Sequence, residues 1–199
     1  LIMDSHKNGR HIFERECSIQ RRHQKLIEMS PSPIVDKKTR ERIGEIAVRA
    51  AAAVDYLNAG TAEFLRDQQG NFYFIEINSR LQVEHPVTEL VTGIDLVKLQ
   101  IAIAQGEEIP FKQEELKMHG CAIECRINAE DPFSEFAPSI GLVPTCNIPN
   151  GPGIRVDTYL YPGCHVSGYY DSLVAKLITW GNNFEESRIR MKNSLSEFA

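Results

Sequence analysis

A row of polar side chains at every second position is the most constraining feature of this chain. Within the segment Phe74-Ile-Glu-Ile-Asn-Ser-Arg-Leu-Gln-Val-Glu-His-Pro86, the row consists of Glu76, Asn78, Arg80, Gln82 and Glu84. Successive side chains of an extended strand point to opposite faces, so an extended segment would place all five on one face. Acids, amides and a guanidinium on one face favour a surface that binds a metal ion and an anion.

A second strand is predicted directly before this one. Residues 61–65 and 72–78 have strand composition and flank a polar segment that contains a glycine. If the turn is centred on Gln69-Gly70, Glu63 lies opposite Glu76, with Cβ atoms about 4.5–5.5 Å apart. Two ionised carboxylates that close repel each other unless one binds a proton or a cation lies between them.

This pair, together with Asn78, is a candidate metal site, because Mg²⁺ prefers oxygen ligands and usually recruits one or two carboxylates. Two solvated glutamates on an outer sheet face are the alternative. Beyond the pair, Arg80 could bind a planar oxyanion through two parallel hydrogen bonds, and Glu84 could accept the proton of that anion. Arg126 is a second cation on a polar strand face, where a surface ion pair is the alternative.

The remaining patterns predict an α+β chain with a boundary near residue 118. Before it, we expect a hairpin in 1–13, a polar loop or edge segment in 14–25, a helix over 37–58 capped by Asp36 and stopped by Gly60, helices near 86–92 and 95–105, and a linker over 107–119. After it, we expect strands at 121–128, 141–148, 154–160 and 172–179 and a last helix from Asn183.

Charge and cysteine content exclude several classes of protein. A net charge of −5 gives no basic surface for nucleic acid, and no apolar run approaches the roughly 20 residues that span a bilayer. Five cysteines without a CxxC pair favour reduced thiols in a cytoplasmic compartment over a disulfide framework or a zinc site. Cys121 and Cys125 are expected to face the core with Ile123 and Ile127.

Three long motifs resemble the biotin carboxylase component of biotin-dependent carboxylases. They are Cys17-Ser-Ile-Gln-Arg-Arg-His-Gln-Lys25, the segment from Phe74 to Glu89, and Cys121-Ala-Ile-Glu-Cys-Arg-Ile-Asn-Ala-Glu-Asp-Pro132. A further block, Tyr170-Asp-Ser-Leu-Val-Ala-Lys176, is also similar. The resemblance implies that residues 1–117 are the C-terminal part of an ATP-grasp domain, with an antiparallel sheet and helices. Residues 118–199 would then be an incomplete biotin carboxylase C-terminal domain.

The resemblance also implies a reaction and the residues that perform it. Members of the family use MgATP to activate bicarbonate as carboxyphosphate, and the CO₂ released goes onto N1 of biotin held on a carrier domain. The implied roles are ligation of Mg²⁺ or Mn²⁺ by Glu63, Glu76 and Asn78; ATP binding by Gln20, His23, Leu65 and Ile75; bicarbonate binding by Lys25, Arg80, Gln82 and the backbone of Val83; deprotonation of bicarbonate by Glu84; and stabilisation of the biotin enolate by Arg126.

Partners follow from the same resemblance. It implies a biotin carboxyl carrier domain or protein, a separate carboxyltransferase component that selects the final acceptor, and a homodimer, for which Arg155 is a candidate interface residue. The N-terminal domain, the glycine-rich lid and the end of the family lie outside these 199 residues. We therefore expect the chain alone to be inactive.

Two other functions fit part of the pattern. Another ATP-grasp ligase, such as carbamoyl phosphate synthase, shares the paired acids and the asparagine, but is not expected to combine Arg80-Leu-Gln-Val-Glu84 with the Arg126 motif. A non-catalytic assembly module would keep the fold without metal binding. Mn²⁺ binding that depends on the paired glutamates separates the enzymes from the module.

Overall fold

The computed structural model describes residues 1–198, which divide into two compact units. The first unit contains Leu1–Glu16 and Ser30–His119, and the second contains Cys17–Met29 and the described residues from Gly120 onwards. Residues 17–29, expected in the first domain, belong to the second of these units. The domain division predicted between residues 117 and 118 stays a prediction.

The first unit begins with the predicted hairpin. Strands β1 (Ile2–Met3) and β2 (Gly9–Arg10) are antiparallel, and β5 (Asn58–Ala59) pairs with the other edge of β1. The buried carboxylate of Asp4 holds the connecting turn, because its two oxygens accept hydrogen bonds from the backbone nitrogens of His6, Asn8 and Ile109 and from the Asn8 amide.

Helix α1 (Lys37–Ala52) is shorter than predicted. Asp36 caps its start as expected, accepting a 2.7 Å hydrogen bond from the Thr39 backbone nitrogen. The helix ends at Ala52 rather than near Gly60, and the chain turns through Asp55 with a positive φ of 49°. Val54 and Leu57, which continued the apolar spacing, are exposed, so the periodicity extends beyond the buried face.

Two helices complete the first unit. They are α2 (His85–Thr92), which ends at Gly93 as predicted, and α3 (Leu96–Ala104), which Asp95 caps at the Lys98 nitrogen. The core contains Ile2, Ile12, Ala59, Leu96, Leu99, Ile103 and Ile109. The expected linker over 107–119 is anchored to this unit, since Gln113 bonds both backbone groups of His11 and the His119 nitrogen donates to the Val91 carbonyl.

The second unit is built on a five-stranded sheet. Its strands are β3 (Glu16–Arg21), β4 (Gln24–Ser30), β8 (Cys121–Asn128), β12 (Ile154–Thr158) and β14 (Leu173–Gly181). They lie in the order β12-β14-β8-β4-β3. Residues 14–25, predicted as a loop or edge segment, therefore contribute the edge strand β3 and the start of β4. Strand β14 runs antiparallel to both β8 and β12.

Helix α4 (Phe184–Glu197) begins beside Asn183 as predicted and packs on this sheet. The core contains Cys121, Ile123, Cys125, Leu177 and Met191, with Ile127 packed against it, which confirms the predicted face of β8. The strand predicted at 141–148 is wrong in length. Only β11 (Gly141–Leu142) forms, paired with β13 (His165–Val166), because the chain then leaves the ladder.

A short hairpin of β9 (Glu130–Asp131) and β10 (Ala137–Pro138) follows β8. The mixture of helices with antiparallel strands confirms the α+β class. Among residues 1–198, no helix combines the length and apolar composition that a bilayer crossing requires.

Candidate active site

The β6–β7 hairpin, formed by β6 (Thr61–Arg66) and β7 (Phe72–Asn78), sets two glutamates opposite each other. The register pairs Glu63 with Glu76, as the sequence predicted. Nearer the turn, however, Phe64 pairs with Phe74, so Ile75 is an extra residue in a β-bulge. Near the turn, the pairing of the two strands is thus shifted by one residue from the predicted register. The extra residue Ile75 cancels this shift, so that Glu63 and Glu76 still face each other.

Asn78 joins the two carboxylates. Its Nδ2 lies 3.2 Å from Glu63 Oε1 and 3.1 Å from Glu76 Oε1, so all three side chains meet on one face of the hairpin. Gln82 Nε2 also donates to Glu63 Oε1, at 2.9 Å. Two carboxylates and an amide form a donor set of the kind that hard divalent cations use, and here amide N–H groups offset the negative charge between them.

The extended row ends at Asn78, so the predicted alternation through Glu84 is wrong. The chain bends at Ser79 and Arg80, and α2 begins at His85 with Pro86 in its first turn. Proline is favoured there because its fixed φ suits a helix start and its missing N–H would have no partner within the helix. The polar residues beyond Asn78 therefore occupy a bend and a helix start instead of a strand face.

These polar residues differ in exposure. Arg80 is exposed, and its Nη1 lies 3.4 Å from the Leu81 carbonyl. Gln82 is buried, Val83 is half-buried, and Glu84, directly before α2, is only 2 % exposed. The His85 Nδ1 lies 2.9 Å from the Gln82 carbonyl, which fixes the turn that carries Glu84. A carboxylate shielded in this way is a suitable proton acceptor for a small bound acid.

Arg15 is a site residue that the sequence did not reveal. Its Nη1 donates to Thr88 Oγ1 at 3.1 Å, and its Nη2 donates to Thr61 Oγ1 and to Gln82 Oε1, each at 3.0 Å. The guanidinium therefore connects the start of β6, the bend and α2. Its partners lie 46 to 73 residues away along the chain, and the local sequence around Arg15 is merely polar.

Two of the predicted nucleotide-lining residues lie on the same hairpin. Leu65 is 63 % exposed and Ile75, the bulge residue, is 49 % exposed. Exposed apolar side chains of this size are suited to the flat face of a base.

No cluster of three or more histidine, cysteine, aspartate or glutamate side chains that could hold a metal ion occurs among residues 1–198.

The second unit carries the other predicted residues on the β3–β4 hairpin. Gln20 Nε2 donates to the Cys17 carbonyl at 2.8 Å, and His23 is exposed at the turn. Arg22 and His23 have positive φ values of 51° and 65°, which two-residue hairpins require but non-glycine residues adopt at an energetic cost. Lys25 follows on β4 and is half-buried.

Arg126 on β8 is held by Glu28 on the neighbouring strand β4. Arg126 Nε and Nη2 each lie 2.7 Å from Glu28 Oε1. Glu28 is fully buried, and the Arg126 side chain is 17 % exposed. The surface ion pair considered from the sequence is therefore a largely buried one, with the guanidinium at its outer end.

A cleft of about 350 Å³ lies beside the β3–β4 hairpin in the second unit. The sequence did not indicate this cleft. Arg21 pairs with Glu130 and stacks over the ring of Phe136, 4.0 Å from its centre. Ser172 donates to the other oxygen of Glu130 at 2.7 Å. Asp171 and Tyr170, from the fourth motif, line the same cleft.

Two protein families match the chain. The family described as "Carbamoyl-phosphate synthase L chain, ATP binding domain" matches residues 1–112, and the family described as "Biotin carboxylase C-terminal domain" matches residues 124–199. The description of the first family names carbamoyl phosphate synthase, the rival enzyme considered from the sequence. The second match contains Arg126 and its motif from Glu124 onwards, which the rival was not expected to share.

Curated relatives and solved structures agree with this assignment. Biotin carboxylase 1 of Bacillus subtilis and the biotin carboxylase of a Nostoc species are 52 % and 50 % identical over the whole chain, which spans 44 % of the length of each. The biotin carboxylase domain dimer of Hydrogenobacter thermophilus 2-oxoglutarate carboxylase, solved with MgADP, ADP and bicarbonate, is 49 % identical. It superposes with a TM-score of 0.97 over the whole chain and 44 % of that structure. The chain spans less than half of these relatives, and it belongs to the biotin carboxylase family.

Proposed function

We propose that this chain carries part of the active site of an enzyme that carboxylates biotin at N1 with bicarbonate and MgATP. The observation that carries the proposal is the opposition of Glu63 and Glu76 across a bulged hairpin, with Asn78 joining their carboxylates. Family membership supports it, because relatives named biotin carboxylase match the chain along its whole length. ATP, Mg²⁺ or Mn²⁺, and biotin on a carrier domain are the cofactors that this function requires.

The two glutamates and Asn78 would hold the divalent cation. When bound, the cation offsets the negative charge of the ATP phosphates and of the attacking anion. Glu63 and Glu76 already meet on one face, so little rearrangement of the backbone is needed. Rotation of the Asn78 amide would exchange its N–H donor for an oxygen ligand.

Bicarbonate binding and activation are assigned to the bend after β7. The exposed guanidinium of Arg80 matches a planar oxyanion, and Gln82 and the backbone of Val83 supply further donors. Glu84 takes the proton of bicarbonate, and the resulting dianion attacks the γ-phosphorus of ATP with ADP as leaving group. Carboxyphosphate then breaks down to phosphate and CO₂.

The remaining roles are those that the family resemblance implies. Lys25 is assigned to bicarbonate binding, and Gln20, His23, Leu65 and Ile75 are assigned to nucleotide binding. The phosphate released from carboxyphosphate takes the N1 proton of biotin, Arg126 stabilises the resulting negative charge, and N1 then attacks CO₂. The buried pairing with Glu28 supports this role, because it fixes the orientation of the guanidinium.

The partners are proposed on the same basis. A biotin carboxyl carrier domain or protein delivers the substrate, and a carboxyltransferase component receives the product. A homodimer is proposed because the biotin carboxylase domain of 2-oxoglutarate carboxylase was solved as a dimer. A cytoplasmic location agrees with five free cysteines, of which three are buried.

Bicarbonate-dependent ATP hydrolysis tests the proposal directly. The full-length protein should release phosphate from ATP only with bicarbonate, and free biotin should stimulate the release, whereas the 199-residue chain alone should show no turnover. Carbamoyl phosphate synthesis is the second candidate, because the description of the first matching family names that enzyme. It predicts phosphate release that depends on an ammonia donor and is unaffected by biotin. Clear turnover by the 199-residue chain would refute the expectation of inactivity.

A further inference from the structure

Arg15 is hydrogen-bonded to Gln82, a proposed bicarbonate residue, but has no assigned role of its own. It is half-buried, and its three hydrogen bonds end on Thr61, Gln82 and Thr88. Both hydrogens of Nη2 are used, one for Thr61 and one for Gln82. A planar guanidinium with three acceptors from three elements has a defined orientation.

The Gln82 amide is fixed from both of its ends. Its Oε1 accepts from Arg15 at 3.0 Å, and its Nε2 donates to Glu63 Oε1 at 2.9 Å. The opposite amide orientation would set an N–H₂ group against a guanidinium and an oxygen against a carboxylate. Because Gln82 is only 5 % exposed, water cannot readily replace the lost partners.

We propose that Arg15 is a positioning residue that fixes the orientation of the Gln82 amide and, through it, the Glu63 carboxylate. The inference rests on the proposed function, in which Glu63 is a metal ligand and Gln82 binds bicarbonate. In this proposal, Arg15 contacts neither the metal ion nor bicarbonate and acts through Gln82. One Gln82 N–H is directed at Glu63, so the second is the one available to an anion.

This arrangement predicts a specific consequence for metal binding. Residues that orient a metal ligand typically alter metal affinity or activity by about 10- to 100-fold when they are replaced. Without Arg15, the Gln82 oxygen loses a charged donor, and the amide no longer presents its nitrogen reliably to Glu63. Mn²⁺ affinity should therefore fall, although every proposed ligand is still present.

The test measures Mn²⁺ binding by electron paramagnetic resonance in the full-length protein with ADP. Arg15→Met should raise the Kd for Mn²⁺ about tenfold. The Kd of Arg15→Lys should lie between those of wild type and Arg15→Met, because an ammonium keeps the charge but lacks the fixed N–H directions of a planar guanidinium. Arg10→Met is the matched control. Arg10 is also half-buried in the first unit, but it donates to the backbone carbonyls of Gly9 and Phe111.

The route through Gln82 is tested by the double variant. If Arg15 acts through Gln82, Arg15→Met combined with Gln82→Ala should bind Mn²⁺ as Gln82→Ala does alone. Additive losses, or a Kd for Arg15→Met and Arg15→Lys equal to that of wild type, would overturn the proposal. Should Arg15→Met not fold, Arg15→Lys and its double variant with Gln82→Ala give the same comparison.

Glu76→Gln separates this inference from the proposed function. Glu76 is bonded to Asn78, whereas the hydrogen bonds of Arg15 end on Thr61, Gln82 and Thr88. If Glu76→Gln leaves the Kd for Mn²⁺ unchanged, the metal assignment itself fails. If Glu76→Gln weakens binding and the Arg15 variants do not, the metal assignment stands and the positioning role of Arg15 fails.

Discussion

Glu28 and Arg126 form an ion pair across neighbouring strands, with Arg126 Nε and Nη2 each 2.7 Å from one Glu28 oxygen. Removal of one member of such a pair leaves a buried charge without its counter-ion, which typically costs about 3–5 kcal/mol. Arg126 is therefore expected to contribute to stability, in addition to its proposed role in stabilising the biotin enolate. Replacement of Arg126 should therefore lower activity in two ways, by destabilising the fold and by removing the cation proposed to act on biotin. Stability and activity must be measured separately.

Arg126→Met should lower the free energy of unfolding by about 3–5 kcal/mol, as measured by urea denaturation. The double replacement Glu28→Leu with Arg126→Met should recover much of this loss, because two apolar side chains remove the buried charge altogether. In the full-length protein, the double variant should still lack biotin-dependent turnover. Equal stabilities of Arg126→Met and wild type would contradict the buried pairing.

Asp4 should make stability depend on pH. Burial opposes ionisation of this carboxyl, but hydrogen bonds from the Ile109 backbone, the Asn8 side chain and the backbones of Asn8 and His6 hold its pKa below the ordinary value. A carboxyl whose folded pKa is depressed stabilises the fold above its unfolded pKa of about 3.9, and this contribution is lost as pH falls through the folded pKa.

Asp4→Asn should therefore cost about 1.5–3 kcal/mol at pH 7, the usual contribution of hydrogen bonds to a charged group. The difference between wild type and Asp4→Asn should shrink as the pH falls from about 5 towards 2, because protonation removes the advantage of the aspartate. Urea denaturation at several pH values measures the difference. A difference that grows as pH falls would show that the sign is wrong.

The cysteines should react in two groups. Cys17 and Cys146 are half-buried, whereas Cys121, Cys125 and Cys164 are buried. Burial, with smaller contributions from the charges of Glu28 and Glu124, raises the pKa of Cys125 to about 12. Because the thiolate is the reactive form, alkylation at pH 8 should label Cys17 and Cys146 first.

Peptide mass spectrometry identifies the labelled positions. All five cysteines should react in guanidinium chloride, which serves as the control for intrinsic reactivity. Rapid labelling of Cys125 in the folded protein would contradict the placement of its thiol in the core of the second unit.

Asn78→Asp should make stability depend on divalent cations. The Asn78 amide donates to both Glu63 and Glu76, so aspartate replaces two attractive contacts by a third negative charge. The variant should unfold at a lower temperature than wild type in EDTA, and Mn²⁺ should raise its melting temperature more than it raises that of wild type. A shift with Mn²⁺ no larger than that of wild type would argue against a cation between these groups.

The acid pair was predictable from the sequence because a hairpin has few degrees of freedom. Once two strands and a short turn are recognised, the facing residues are nearly determined, and Glu63 faces Glu76 as expected. The bulge at Ile75 was not predictable, since an extra residue leaves no mark in the alternating pattern. It compensates for a turn that is one residue out of the expected alignment.

The predicted alternation fails after Asn78 because a second signal competes with it. His85-Pro86 marks a helix start, and the residues before it form a bend that ends the strand. The prediction of a helix up to residue 58 fails for a related reason, since Val54 and Leu57 keep the apolar spacing but have no core to cover. Arg15 could not be found at all, because its three partners are distant in sequence.

The most direct test of the central claim is a Mn²⁺ titration of the full-length protein and its Glu63→Gln and Glu76→Gln variants in the presence of ADP, followed by electron paramagnetic resonance. The charge of two facing carboxylates supplies most of the attraction for the cation, so each variant should bind Mn²⁺ at least about tenfold more weakly than wild type. Circular dichroism should show that both variants remain folded. Wild-type affinity in both folded variants would contradict the assignment of this hairpin as a metal site.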